Sequence, residues 1–304
     1  MSSGSPLARG CLTGLGLWAL SALVVGLAAY LLMPEGGDGS FGKVAVYAGL
    51  GGGLLLALAL GSLWEAVRRI HEVRLLRESV AGAPPADGAR IAASGVLVAD
   101  GPTAEAPFSG TRSAIYSYEV KARQQKSDTE VCSGYFLTPC HVETPAGRVR
   151  ILGYAELAFT PARIEGPEAV ARARAYFTAA TVTPTGMGAL REFTSMLADD
   201  DGAIRSDTGA VPHELDDPKL YFVERAVADG EHVCAFGRYS AERGGLVPNP
   251  ASADPYAVRL RKGGEAEVLR SLWRAAAGQV AGTLLLAALT AGVLVLVAVL
   301  FERL

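Results

Sequence analysis

Cys132, Cys140, His141, His232 and Cys234 are the best metal candidates in this chain. Thiolate sulfur and imidazole nitrogen are the ligands of zinc, which holds them in a tetrahedron. Their spacing does not help. On a strand, His232 and Cys234 share a face, whereas Cys140 and His141 point to opposite faces unless Pro139 bends the chain. No C-x-x-C pair occurs. The plainer expectation is buried structural cysteines, because a free Cys behaves as a small hydrophobe. Acid–base chemistry has two candidate pairs, His141 with Glu143 and His213 with Glu214, of a kind that arises by chance in a chain this size. "LADDDGAIRSDT" resembles a calcium loop. With Gly202 at its sixth position, Leu197 and Thr208 fall where an oxygen ligand and a Glu are required, so a solvated acidic loop is expected. The sequence has no G-x-S-x-G and no Gly-rich phosphate loop after a strand. No catalytic residue, resident metal or cofactor is expected.

The elements that would position these residues are set by charge segregation. Charged residues make up 19% of the chain and the net charge is −3. That is below the roughly 25% of a soluble domain and gives no basic field for nucleic acid. Residues 10–34, 44–64 and 275–301 carry no charge at all. A helix rises about 1.5 Å per residue, so roughly 20 apolar residues cross a hydrocarbon core of about 30 Å. Three transmembrane helices are therefore expected, at 10–34, 41–64 and 275–301. A cleaved signal peptide is the alternative for the first, although its apolar run exceeds the usual length.

Lys and Arg gather on cytoplasmic flanks. Arg68, Arg69, Arg74 and Arg77 follow the second span, Arg259, Arg261, Lys262, Arg270 and Arg274 precede the third, and Arg9 precedes the first. The bias places residues 65–274 in the cytoplasm and the tail "FERL" outside. Residues 65–80 are expected to continue the second span as a basic amphipathic helix with Val67, Ile70, Val73 and Leu76 on one stripe. Its arginines serve as topology signals or as contacts to anionic lipid. Gly49, Gly53, Ala57 and Gly61 recur every four residues, Ala22 and Gly26 could face them, and Gly278 and Gly282 mark the third span. Small residues at this spacing let helices approach, within one chain or in a homo-oligomer. No ionisable group lies within a span, which argues against a transporter.

After the linker "AGAPPADG" (81–88) comes a domain at 89–264. "ARIAASGVLVAD", "SAIYSYEVKA", "SGYFLTPCHVE", "GRVRIL", "LYFVERAV", "EHVCAFGRYS" and "PYAVRLR" alternate as strands do. "TPAG" and "ADGE" mark hairpin turns, the second with Asp229-Gly230 at its tip. A mainly antiparallel barrel or sandwich is expected. Residues 155–216 break the rhythm and read as an insertion with one or two short helices, the first opened by Pro167.

These strand motifs resemble the GIDE family, a group of membrane-bound E3 ubiquitin ligases whose domain lies beside the membrane between transmembrane helices. The likeness rests on "SGVL" with "EAPFSGTRSAIYSYEV", on "HVETPAGRVRI" and on "FVERAVADGEHVCAFGRY". It picks out Gly95, Pro107, Tyr118, Gly147, Glu224, Gly230 and Gly237. Glu224 reads as a cross-strand ion-pair partner or as a ligand-binding residue. The ligases of the family carry a RING finger, whose two zinc sites are filled by Cys and His. Here only Glu302, Arg303 and Leu304 follow the third span, and the four cysteines and four histidines include Cys11 inside a span. The resemblance therefore implies a prokaryotic, RING-free form, consistent with the composition of a high-GC bacterium. Two functions follow as expectations. One is a scaffold presenting a β domain at the cytoplasmic face of a bacterial membrane to lipid or to a cytoplasmic protein or peptide. The other is the membrane component of a ubiquitin-ligase-like system whose RING is on another chain.

Overall fold

The computed structural model describes residues 18–28, 31, 40–79, 85–124, 128–184, 203–248 and 257–302. The chain divides into two compact units, Met1–His71 with Ser271–Leu304 and, between them in sequence, Glu72–Arg270. The helices are α1 Trp18–Ala28, α2 Ser40–Ser79, α3 Pro167–Ala179 and α4 Glu265–Glu302.

In the first unit, α2 and α4 supply the segments Gly49–Ser79 and Glu265–Leu296, both long and apolar enough to cross a membrane. Leu54, Leu58, Leu284, Leu285 and Leu296 are exposed, an apolar surface that a soluble monomer rarely presents to water. Of the expected first span, Trp18–Ala28 and Leu31 are described, and both are helical. Much of 10–34, including Cys11, lies outside the described residues. Of the small residues expected to meet, Gly49 and Gly53 lie against Ala22 and Gly26, whereas Gly61 and Gly278 have nothing within 4 Å of an added Cβ. A Cβ on Gly49 would stand 2.8 Å from the Ala22 carbonyl oxygen, and one on Gly53 would stand 2.3 Å from Ala22 Cα. Ser62 Oγ donates to the Gln279 carbonyl at 3.0 Å, tying α2 to α4.

The stripe expected on 65–80 is not one face. Val67 is 52% and Ile70 42% exposed, while Val73 and Leu76 are buried. Three residues advance an α-helix by about 300°, so a strict period of three drifts backward by about 60° per step. By the third step the side chain has crossed to the opposite side.

The second unit is built from two sheets. Its strands are β1 Arg90–Ala99, β2 Ala104–Glu105, β3 Arg112–Ser113, β4 Ile115–Ala122, β5 Thr129–Leu137, β6 Cys140–Thr144, β7 Gly147–Ile151, β8 Ala155–Leu157, β9 Ala162–Ile164, β10 Ile204–Gly209, β11 Leu220–Val227, β12 His232–Ser240, β13 Gly245–Val247 and β14 Val258–Lys262. In the first sheet β1, β6, β7, β13 and β12 close on themselves through a β1–β12 pairing, and β14 and β8 extend it from β12. Numbered along the chain, the ring runs 1-2-3-5-4-1, and its third and fifth strands, β7 and β13, are parallel. That is the connectivity of an OB-type barrel. The second sheet is β10-β5-β4-β11-β9. It is made from segments inserted between the first and second and between the third and fourth ring strands.

Barrel and sheet are thus both present, and three sequence expectations change. "SGYFLTPCHVE" is two strands: β5 belongs to the second sheet and β6 to the barrel, with the break at Thr138-Pro139. "LYFVERAV" and "EHVCAF" flank a turn with Gly230 at φ +82°, but β11 pairs with β4 and β9 whereas β12 pairs within the barrel. They do not form the expected hairpin; the chain changes sheets there. The turn instead lies against β1, where Gly230 N–H donates to the Leu97 carbonyl and Leu97 N–H to the Glu231 carbonyl, both at 2.8 Å. The segment 155–216 also contributes β8, β9 and β10, and β8 pairs in parallel with β14. The first expected helix is α3, with Pro167 in its first turn; the second, around "MGALREFTSML", lies outside the described residues.

The barrel core holds Leu97, Val142, Ile151, Val233, Ala235, Leu246 and Leu260, continuous with Ile115, Leu137 and Ile204 of the second sheet. A second core fills the space between the other face of that sheet and α3, with Phe108, Tyr116, Tyr118, Val120, Phe136, Ala169, Ala173 and Phe222.

Gly95 sits where β1 hands over from β12 to β6, since its neighbour Val96 pairs with both His232 and Glu143. A Cβ there would stand 1.9 Å from the Glu143 carbonyl oxygen. Gly95→Ala should destabilise the β domain by about 3 kcal/mol through this backbone overlap, read as a lowered urea midpoint. An unchanged midpoint would show that the seam can relax.

Candidate binding cleft

Strand alternation gives the second sheet two unlike faces. On one, Tyr116, Tyr118 and Val120 of β4 oppose Phe136, Gly134 and Cys132 of β5 and pack against α3. On the other, the register aligns Ser206, Tyr135, Ser117 and Arg225 in one row across β10, β5, β4 and β11. Thr208, Ser133 and Glu119 form the next row. Near the barrel this second face is apolar and joins the barrel core. Farther out it borders a cleft of about 410 Å³, whose other wall is Tyr154, Glu156 and Leu157 beside and within β8. That volume falls within the range of small-ligand sites.

Two of the three glutamates that line the cleft, Glu119 and Glu156, are ion-paired, whereas Glu130 on β5 is exposed and has no ion pair among the described residues. Glu119 lies 2.6 Å from Lys121 Nζ and 3.2 Å from Arg225 Nη1. Burial pushes its carboxyl up, but the two cations outweigh that and hold it below the ordinary carboxylate range. Arg225 also donates from Nε to the Phe159 carbonyl at 2.9 Å. Glu156 takes Arg259 Nε at 3.1 Å, and the same guanidinium reaches Glu72 Oε1 at 2.6 Å. The hydroxyls are different. Ser133 Oγ and Thr208 Oγ1 are 3.4 Å apart, while the hydroxyls of Ser117 and Ser206 are engaged by no hydrogen bond among the described residues. Ser206 is only 6% exposed.

Behind the sheet, two carboxylates organise the opposite face. Asp207 Oδ1 accepts the hydroxyls of Tyr118 and Tyr176, each at 2.6 Å, and Arg205 Nε lies 3.2 Å from Oδ2. Burial, joined by these contacts, holds the Tyr118 and Tyr176 hydroxyls protonated far above the usual phenol range. Gly134 makes the network feasible, because a Cβ there would stand 2.2 Å from the Tyr118 ring. Glu224, 3% exposed, accepts the backbone N–H groups of Phe108 at 2.9 Å and Ser109 at 3.3 Å. It holds the "APFSG" loop, in place of the ion pair or ligand contact read from the sequence.

The resemblance positions therefore divide. Pro107, Tyr118 and Glu224 meet around that loop, Glu224 being the cross-strand neighbour of Tyr118. Gly147 and Gly230 take positive φ at turns. Gly237 lies against β13, where a Cβ would be 3.0 Å from the Val247 carbonyl oxygen. None of these side chains lies on the cleft face of the sheet; Tyr118 borders the cleft from β4, but its ring packs under α3. Asp207, Gly134 and the cleft hydroxyls went unnoticed in the sequence. The only signal available was the alternation of "IRSDTG", hidden in the acidic loop.

The metal candidates disperse. Cys132 belongs to the core under α3, Cys140 to the barrel core, and Cys234 lies 3.3 Å from Ser94 Oγ. No group of three potential ligands occurs among the described residues. His141 Nδ1 pairs with Asp100 at 2.9 Å rather than with Glu143, which faces Arg148. His232 is exposed, as are His213 and Glu214. Of the flanking cations, Arg259 and Arg261 bond Glu72, and Lys262 bonds Glu231. Arg68 and Arg69 pair with Glu65, and Arg74 with Glu78.

Glu224→Ala strands two backbone donors and should cost about 3 kcal/mol, whereas Glu224→Gln, which keeps an acceptor, should cost about 1; equal losses in urea unfolding would contradict the capping role. Burial pushes the Cys132 thiol up to about 11 and Cys140 up to about 12. An unfolded thiol titrates near ~8.5. Above that pH the unfolded chain releases protons that the folded chain retains, so stability is full below about pH 8.5 and falls as pH rises toward the folded values. Thermal midpoints from pH 7 to 10 should decline, less steeply in Cys140→Ala. Compared with models of known families, with curated proteins and with solved structures, the chain matches none.

Proposed function

We propose that the protein is a membrane-anchored binding module that holds its β domain at the cytoplasmic face of a bacterial membrane and recognises a ligand in the cleft between its two sheets. The observation that carries this reading is the cleft itself. It combines a ligand-sized volume, the hydroxyls of Ser117 and Ser206 and three glutamates of which two are ion-paired, with no His or Cys among its lining residues. Such a lining can bind and orient a polar molecule. Support for the anchor comes from the two apolar helices, and for the orientation from the Lys/Arg bias of the sequence. The likeness to GIDE-type domains belongs to the same proposal and rests on the motif residues alone.

Two measurements test it. Glu242→Cys places a thiol on the exposed turn after β12. A membrane-impermeant maleimide should leave it unmodified in intact cells and label it after permeabilisation; labelling of intact cells overturns the orientation. A photo-crosslinking residue at position 117 should give adducts in vivo that one at the exposed Thr178 of α3 does not. Identical patterns from both positions would remove the cleft as a recognition site.

A further inference from the structure

Where α2 and α4 leave their uncharged runs, they do so at one level. Ser62 Oγ donates to the Gln279 carbonyl at 3.0 Å and Thr283 Oγ1 to the Ala59 carbonyl at 3.4 Å, so the two helices are antiparallel. Arg68 lies six residues past Ser62 on α2, and Trp273 six residues before Gln279 on α4. Both are therefore about 9 Å along the axes from that contact, with Arg69 and Arg274 one residue away. The uncharged runs 44–64 and 275–301 stop just short of this level, so a collar forms where the hydrocarbon would end. Its rings are exposed, Trp64 at 67% and Trp273 at 44%, and tryptophan settles at headgroup depth. Leu63, Val67 and Ile70, spaced to share one face of α2, are exposed too. Such an apolar face beside cations suits the boundary between acyl chains and headgroups. The cations are not equivalent. Arg68 and Arg69 share Glu65 at 3.1 and 3.2 Å. Arg274 is exposed and makes no ion pair or hydrogen bond among the described residues. Three arginines against one glutamate leave the collar positive, and its uncommitted cation stands on α4 beside Trp273.

We infer that this collar is a site for anionic phospholipid, with Arg274 its principal cation and Glu65 a restraint that keeps Arg68 and Arg69 from competing for headgroups. The sequence assigned lipid contact to the arginines of α2; the ion pairs to Glu65 shift it to α4. The inference rests on the reading of α2 and α4 as a membrane anchor. Full-length protein is reconstituted in nanodiscs of equal phosphatidylglycerol and phosphatidylcholine, and the lipids retained after partial stripping are counted by native mass spectrometry. Wild type is expected to retain phosphatidylglycerol in preference. Arg274→Gln should lower that preference about fivefold, the weight of one cation at a membrane surface, and Arg274→Lys should keep most of it. Glu65→Gln should raise it, a gain that misfolding does not produce. Arg148→Gln, which removes an exposed cation of the β domain, should leave it unchanged. Equal retention of the two lipids, a preference that Arg274→Gln does not lower or Glu65→Gln does not raise, or an equal fall in Arg148→Gln overturns the inference. Retention of neither lipid by a dimeric protein overturns it too, and gives the face to a second copy of the chain. Alkaline carbonate extraction of the same variants separates the two readings. A protein released from the membrane ends both, whereas one that stays inserted without the preference ends the lipid site alone.

Discussion

A β-strand turns successive side chains to opposite sides, and the second sheet depends on that period being kept through four strands at once. Along β4, Tyr116, Tyr118 and Val120 go to the α3 core and Ser117 and Glu119 to the cleft. A slip of one residue would place Ser117 and Glu119 under α3 and aromatic rings in the cleft. The register is fixed by groups that tolerate no slip. Tyr118 must lie across Gly134 to reach Asp207. Glu224, two residues from Phe222 in β11, must reach the loop at Phe108. Tyr118 pairs directly with Gly134 and Glu224 in the ladders, so the polar contacts behind the sheet and the hydroxyl rows in front of it are set by one alignment.

The buried carboxylates suit this task better than apolar residues would. Asp207 and Glu224 are each about as buried as the leucines around them, and a buried charge without compensation is strongly unfavourable. Each is compensated by donors whose positions are determined: two tyrosine hydroxyls and an Arg for Asp207, two backbone N–H groups for Glu224. An apolar side chain would fill similar space but accept many registers. The ionic contacts therefore select one arrangement more than they add to net stability.

The sequence made some of this legible and concealed the rest, for identifiable reasons. Uncharged runs near 44–64 and 275–301 are long, so α2 and α4 could be read directly as long apolar helices. The β6–β7 hairpin and the Pro167 start of α3 follow from local turn and cap chemistry. Sheet membership was not legible. Alternation tells which residues of "LYFVERAV" point inward, but not that β11 and β12, separated by four residues, belong to different sheets. The short β8, β9 and β10 carry too few residues to establish a period, and their partners are distant in sequence. β10 pairs with β5 across an insertion that includes α3. Asp207 looked like one more acidic loop residue, because a buried carboxylate and a solvated one are the same letter.

Fold likeness by itself does not supply a function, and the OB-type connectivity of the barrel is a case in point. Such barrels often bind nucleic acid on a basic, aromatic surface, whereas the cleft here lies between the barrel's β8 wall and an inserted sheet and is lined by three glutamates. The wall has a further constraint. Glu156 shares Arg259 with Glu72, and Glu72 is held at its other oxygen by Arg261. Arg259 lies on β14, next to β8 in the barrel sheet, and Glu72 lies on α2, the helix that carries an apolar span. One guanidinium thus fixes the cleft wall and the domain end of that helix together. Displacing Glu156 would leave Arg259 with Glu72 alone, so the wall and the helix end share an electrostatic contact that a change in the cleft would have to redistribute.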